Sequence, residues 1–186
     1  MTNKKLTPEQ QKWEDAQDRR DVFFKKLKAD CPILWRDPVE QGWVPRPSTP
    51  ETWDDVIYEC SIKIEQLIND HKDKIPVEER PYVVQVKEKF GGLRFYTNGY
   101  HESINEPMNK IIGDAEDKVR RICSKCDSLE AEPRSKFSDH PEQSFGWTYT
   151  LCKPCWRKES IRRAGNSTVK ELRRWFYETM TIRKAK

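Results

Sequence analysis

Cys123-Ser124-Lys125-Cys126 is followed, after a gap of 25 residues, by Cys152-Lys153-Pro154-Cys155. Two residues between cysteines let both sulfurs of a knuckle reach one ion. Two such knuckles complete a tetrahedral shell, which is how structural zinc is held, with Zn–S near 2.3 Å. One CxxC is weak evidence; two in a chain of reducing surroundings read as a metal site rather than as disulfides. Zn2+ is therefore the expected cofactor, in a structural role, since four protein ligands leave no position for water or substrate. A redox CxxC requires a low-pKa thiolate, usually at a helix N-terminus, whereas Cys123 is expected to follow a helix C-terminus. The spacing differs from that of ferredoxin clusters. His140, between the two knuckles, is an alternative ligand.

Outward from the first knuckle, Met108, Ile111, Ile112, Ala115, Val119 and Ile122 mark one helical face leading into Cys123. Ser103-Ile104-Asn105-Glu106 reads as its capping box, with Pro107 just inside. Residues 127–146 read as a polar loop, and Trp147-Thr148-Tyr149-Thr150-Leu151 as a strand that delivers Cys152.

Further upstream, Tyr82-Val83-Val84-Gln85-Val86 and Leu93-Arg94-Phe95-Tyr96 flank Gly91-Gly92. A glycine pair between β-prone runs predicts a hairpin, with the glycines in the positive-φ turn positions. Trp53, Val56, Ile57, Cys60, Ile64, Leu67 and Ile68 recur at spacings of three and four, so a core helix is expected from Thr49-Pro50 to about Lys74. Five prolines in residues 31–50 predict an irregular connector. Thr7-Pro8-Glu9-Gln10 is a helix start with a capping box, and the helix should run to about Asp30. Cys31 and Cys60 read as packing residues.

The expected fold class is α+β: mainly helical, with a small antiparallel hairpin and a zinc-ribbon-like pair of Cys knuckles. The division is residues 1–50 (helix and connector), 51–155 (core with metal site) and 156–186 (basic helical tail). The tail carries 10 basic and 3 acidic side chains, net +7, against +4 for the whole chain. Such asymmetry points to nucleic acid or an acidic protein surface, or simply to a solvated helix face.

Hydrophobic and charged residues each make up 35% of the chain. The core is lean, and seven Trp, seven Phe and six Tyr compensate for it. No apolar run is long enough to span a bilayer, and the first residues lack the apolar stretch of a secretory signal. The expected setting is cytoplasmic.

Neither HExxH, GxSxG, Walker A nor a kinase set is present. His71 and His101 read as surface residues. Asp54-Asp55 and Asp114-x-Glu116-Asp117 read as solvated helix faces; a metal-dependent nuclease or nucleotide-processing enzyme would use such carboxylates with a lysine of Gln85-Val86-Lys87-Glu88-Lys89.

The run Gln85 to Tyr96, QVKEKFGGLRFY, followed by a helix, a CxxC and Trp147-x-x-Thr150-Leu151-Cys152, resembles a family of small, functionally uncharacterised proteins from bacteria and their phages. Gly42-Trp43 and Trp53-Asp54-Asp55-Val56-Ile57 are similar to its upstream part. The likeness covers roughly residues 42–155. Some relatives carry histidine in place of the last cysteine, where Cys155 makes this set all-Cys. The resemblance implies an intracellular setting and a phage or mobile-element origin, and carries no activity.

The expected function is non-enzymatic binding. Nucleic acid would meet Lys87, Lys89 and Arg94 on the hairpin, with Phe95 and Tyr96 to stack, and Arg162, Arg163, Lys170, Arg173 and Arg174 in the tail. One alternative is a protein-binding inhibitor or modulator of a host enzyme or defence system; the nuclease is another.

Overall fold

The computed structural model describes residues 6–37, 46–99, 101–135 and 148–162. Helix α1 (Pro8–Asp30) starts as its sequence demands: Thr7 Oγ1 accepts from Gln10 N and Gln10 Oε1 from Thr7 N. This capping box satisfies two N–H groups that a helix start leaves without partners. Only the second half of α1 has a firm apolar stripe, and there Phe24 and Leu27 are buried.

The connector is not passive. Cys31, Leu34 and Trp35 are buried between α1, α2 (Asp54–Asp70) and the hairpin. A buried turn must have its backbone donors satisfied, and Glu65 of α2 does this: its carboxylate accepts from Ile33 N at 3.1 Å and Leu34 N at 2.8 Å. Glu65 itself is only 5% exposed. The Trp35 indole N–H donates to Ser61 Oγ at 3.0 Å, and its ring meets Phe24 and Phe95 edge-on at 5.9 and 6.2 Å. Glu65→Gln should cost about 1–3 kcal/mol in urea unfolding, because the amide NH2 would face a buried N–H that loses its acceptor.

Thr49-Pro50 does not open an α-helix. Residues Glu51–Trp53 form one 3-10 turn, α2 begins at Asp54, and it ends at Asp70 rather than near Lys74. Strand β1 (Tyr82–Lys89) pairs antiparallel with β2 (Gly92–Asn98). A register shift between Val83 and Gln85 inserts an extra residue, and this bulge lets Val83 and Val86 both face the core. Ser48 adds a short parallel bridge to β1 at Lys87.

The turn lies one residue earlier than the glycine pair suggests. The positive-φ residues are Phe90 (+54°) and Gly91 (+75°), while Gly92 is the first residue of β2. Two consecutive positive-φ residues fit the right-handed twist of a two-residue hairpin.

Helix α3 (Glu102–Val119) packs on α2 and β2. Its cap is His101, whose Nδ1 accepts from Ser103 N at 3.3 Å. Ser103 is thus inside the helix and the expected capping box does not form. Ile104, Met108, Ala115 and Val119 supply the buried face.

A second, much smaller unit follows. Within the stretch expected to be loop, β3 (Glu132–Ser135) pairs antiparallel with β4 (Thr148–Leu151). Residues 153–162 form a helix, α4. Among the described residues the buried hydrophobics here are Cys123, Ala131, Leu151 and Cys152, against 21 in the main cluster, which spans α1 to Ile122. The fold is α+β as expected. No helix among the described residues is long and apolar enough to cross a membrane.

Candidate metal centre

A loop, a strand end and a helix start converge on one point. After α3, the chain turns through Arg120 to Ile122 and enters a tight loop in which Cys123 N donates to Ser128 O at 2.8 Å. Asp127 closes that loop in the left-handed region, at φ +58°, a conformation that aspartate tolerates better than most residues. Cys152 directly follows β4, and Cys155 lies in the first turn of α4, where Trp156 N donates to Cys152 O at 2.9 Å. The second knuckle therefore sits at a helix N-terminus, whose dipole favours thiolate.

The four Sγ atoms all lie within 4.8 Å of one another. Cys126 and Cys152 sulfurs are 3.6 Å apart, and Cys126 and Cys155 sulfurs 3.4 Å. A tetrahedron with metal–sulfur bonds of about 2.3 Å has edges of about 3.8 Å, and a disulfide would need about 2.05 Å. All four thiols are free, and the site can hold a metal ion. It is the one group of three or more His, Cys, Asp or Glu side chains among the described residues whose ligand atoms lie close enough to hold one metal ion.

The thiols disagree about their protons. Burial raises Cys123, but backbone N–H groups of Cys152 and Lys125, with the neighbouring sulfurs, more than offset this and bring it down to about 7. Burial, reinforced by the three other cysteines, pushes Cys155 up to about 12. At Cys126 the Ser128 backbone lowers the thiol, yet Cys152 and Cys123 leave it raised on balance. Four sulfurs this close cannot all be thiolates unaided; a divalent cation removes the conflict.

The unit is joined to the main core at the hairpin turn. Thr150, 1% exposed, donates its hydroxyl to Gly91 O. Ala131 N donates to Arg121 O at 3.0 Å; within the unit Ser124 N donates to Thr150 O at 2.9 Å, and where the chain leaves the main core the Trp53 indole donates to Ile122 O at 3.4 Å.

Cys31 and Cys60 lie in the main core, and burial pushes both thiols up to about 12. His71 Nδ1 is 3.0 Å from Leu67 O, and His101 caps α3. His140 lies outside the described residues.

Of the expected binding residues, Lys87, Lys89 and Arg94 share the outer face of the hairpin, with Lys87 opposite Arg94 and Lys89 opposite Gly92. Arg94 pairs with Glu116 of α3 at 3.6 Å. Phe95 does not belong to that surface. It pairs with Val86 on the inner face and is 4% exposed, so it cannot stack on a ligand. Tyr96 is exposed, with Lys87 Nζ 5.7 Å from its ring centre. Phe90, at the tip, is 66% exposed, and Lys89 Nζ lies 5.2 Å from its ring. Arg162 forms a two-pronged pair with Glu159 at 2.7 and 3.1 Å. Arg163, Lys170, Arg173 and Arg174 lie outside the described residues.

The acidic clusters are engaged locally: Asp54 with Arg20, Asp114 with Lys110, Glu116 with Arg94 and Asp117 with Arg120. Burial raises the Asp54 carboxyl despite its arginine.

One feature had no signal in the sequence. A cleft of about 620 Å³ lies between α1, residues 46–51, the hairpin tip and β4, lined by Arg20, Ser48, Glu51, Glu88, Ser124 and Thr150 among others. Its charges are largely paired, Arg20 with Asp54, Glu51 with Arg19, and Glu88 with Gly91 N. It assembles from segments a hundred residues apart, which no local pattern encodes.

Compared with known proteins, the chain matches no family model, no curated protein and no solved structure.

Proposed function

We propose that the protein is a non-enzymatic nucleic-acid-binding protein whose ion is structural zinc, held by Cys123, Cys126, Cys152 and Cys155. It contacts its partner through the outer face of the hairpin and the basic segment 156–186, and its origin is a phage or mobile element. The all-sulfur donor set favours zinc over harder cations.

The observation that carries the binding reading is on the hairpin. Lys87 and Lys89 have no ion-pair partner among the described residues, and both lie beside exposed aromatic rings. Uncompensated cations neutralise phosphates, and exposed aromatics stack on bases. The tail adds net +7 in sequence.

The test is a binding titration of short DNA and RNA at two salt concentrations. One variant changes Lys87 and Lys89 to Glu; a second changes Arg162, Arg163, Arg173 and Arg174 to Glu. Both should stay folded, since exposed charges contribute little stability. Each should bind more weakly, with a salt slope shallower by about one for each lost phosphate contact. If the wild type binds neither DNA nor RNA, the reading falls and a protein partner takes its place.

A further inference from the structure

We infer that Phe90 is a stacking residue for an unpaired nucleobase, so that the hairpin tip selects single-stranded over duplex nucleic acid; this rests on the nucleic-acid reading above. The premise is a backbone outlier. Phe90 has φ +54°. A bulky side chain in the left-handed region is uncommon and strained, and a turn with two positive-φ residues prefers Asn-Gly, Asp-Gly or Gly-Gly. Among the described residues no apolar packing of the ring offsets that strain, since it is 66% exposed and outside both hydrophobic clusters. Strained residues that the fold does not need mark places where function retains them.

The second observation is the mounting. The neighbouring Gly91 is fixed against β4: its carbonyl accepts from the buried Thr150 hydroxyl and its N–H donates to Glu88 Oε1 at 2.6 Å. The tip is therefore held rigidly over the cysteine unit, and the ring is displayed with little backbone freedom left to lose on binding. The third is charge. Lys89 lies 5.2 Å from the Phe90 ring and Lys87 5.7 Å from that of Tyr96. Two exposed aromatic faces, each beside an ammonium, offer the two things a single strand presents partners for, a stacking surface for its bases and a cation for its phosphates. In a duplex the base faces are covered by their neighbours, and only the phosphates would be served.

The experiment compares wild type, Phe90→Asn and Phe90→Trp by fluorescence anisotropy with a labelled oligothymidylate, and with a duplex of matched length as competitor. Phe90→Asn should melt higher than wild type, because asparagine tolerates the left-handed turn position, and should bind the oligothymidylate on the order of ten- to a hundredfold more weakly. Phe90→Trp should keep the affinity. Wild type should prefer the single strand, and Phe90→Asn should lose that preference. Unchanged binding in Phe90→Asn, equal wild-type affinity for strand and duplex, or a lower melting point of Phe90→Asn would each overturn the inference. The changes of Lys87 and Lys89 to Glu separate the two levels. If they abolish binding while Phe90→Asn binds as wild type does, the electrostatic reading stands and the stacking role falls. If wild type binds neither polymer, both fall.

Discussion

Cys152→Ser protein should purify without the one zinc per chain expected of wild type, and the unit formed by residues 123–135 and 148–162 should lose its fixed structure. The reason lies in how little else holds that unit. Among the described residues its buried hydrophobics number four, two of them cysteines. Its two strands have four residues each, and a two-stranded sheet alone is marginal in water. Structural zinc supplies on the order of 10 kcal/mol to modules of this kind, comparable to a whole domain's net stability. The main cluster, with 21 buried residues, keeps its own packing, so helix content should fall only in part while amide exchange of β3 and β4 becomes fast. Cys126→Ser should behave alike. Cys31→Ser should retain full metal content, because Cys31 packs in the main core, although burying its hydroxyl should lower stability modestly. Elemental analysis and hydrogen exchange on the three variants decide the matter. A metal-free wild type of equal stability would refute the metal site.

Gly91→Val should destabilise by about 3–4 kcal/mol in urea unfolding, combining the left-handed backbone penalty with overpacking. At φ +75°, an added Cβ would lie 3.1 Å from Thr148 Cγ2, 3.2 Å from Thr150 Oγ1 and 3.3 Å from the Tyr149 carbonyl carbon. The last belongs to a paired strand backbone and cannot step aside without disturbing the cysteine unit. Metal retention during dialysis should fall with it, since the Thr150–Gly91 hydrogen bond is one of the few ties between that unit and the core. Gly92→Ala is the control. Its Cβ would meet Arg94 Nη1 at 3.5 Å and Lys89 O at 3.7 Å, ordinary contacts, and the expected change is within about 0.5 kcal/mol. Equal losses at both positions would show that the turn is not Phe90-Gly91.

The pairing of sequence and structure at this turn is instructive. A Gly-Gly between two β-prone runs marks a hairpin wherever it occurs, but its register depends on which residues face the core. Val86 and Phe95 turn inward as a pair, and that pairing places the loop at Phe90-Gly91. It also removes Phe95 from the outer surface, because alternate strand residues point to opposite faces and a one-residue slip exchanges them. The strand at Glu132–Ser135 carries no sequence signal for a related reason. With Pro133 and only four residues it has no apolar alternation of its own, and it exists as the partner of β4.

What the sequence determined by itself is local. Capping at Thr7 and Gln10, the stripe of α2, the existence of the hairpin and the two CxxC knuckles each arise from neighbours within a turn or two, where backbone geometry alone sets which atoms can meet. The paired CxxC spacing belongs here as well, since two residues between sulfurs fix each half of the site before the halves come together. Tertiary structure decided what depends on long-range packing. The Pro-rich connector became core because Glu65, 31 residues beyond Leu34, satisfies its N–H groups. The tip of the hairpin became rigid because Thr150, 59 residues beyond Gly91, bonds to it. The cleft between α1 and β4 exists only once both are placed. Contacts of this kind form because burial leaves polar groups in need of partners, and which partner is in reach is settled by the fold as a whole.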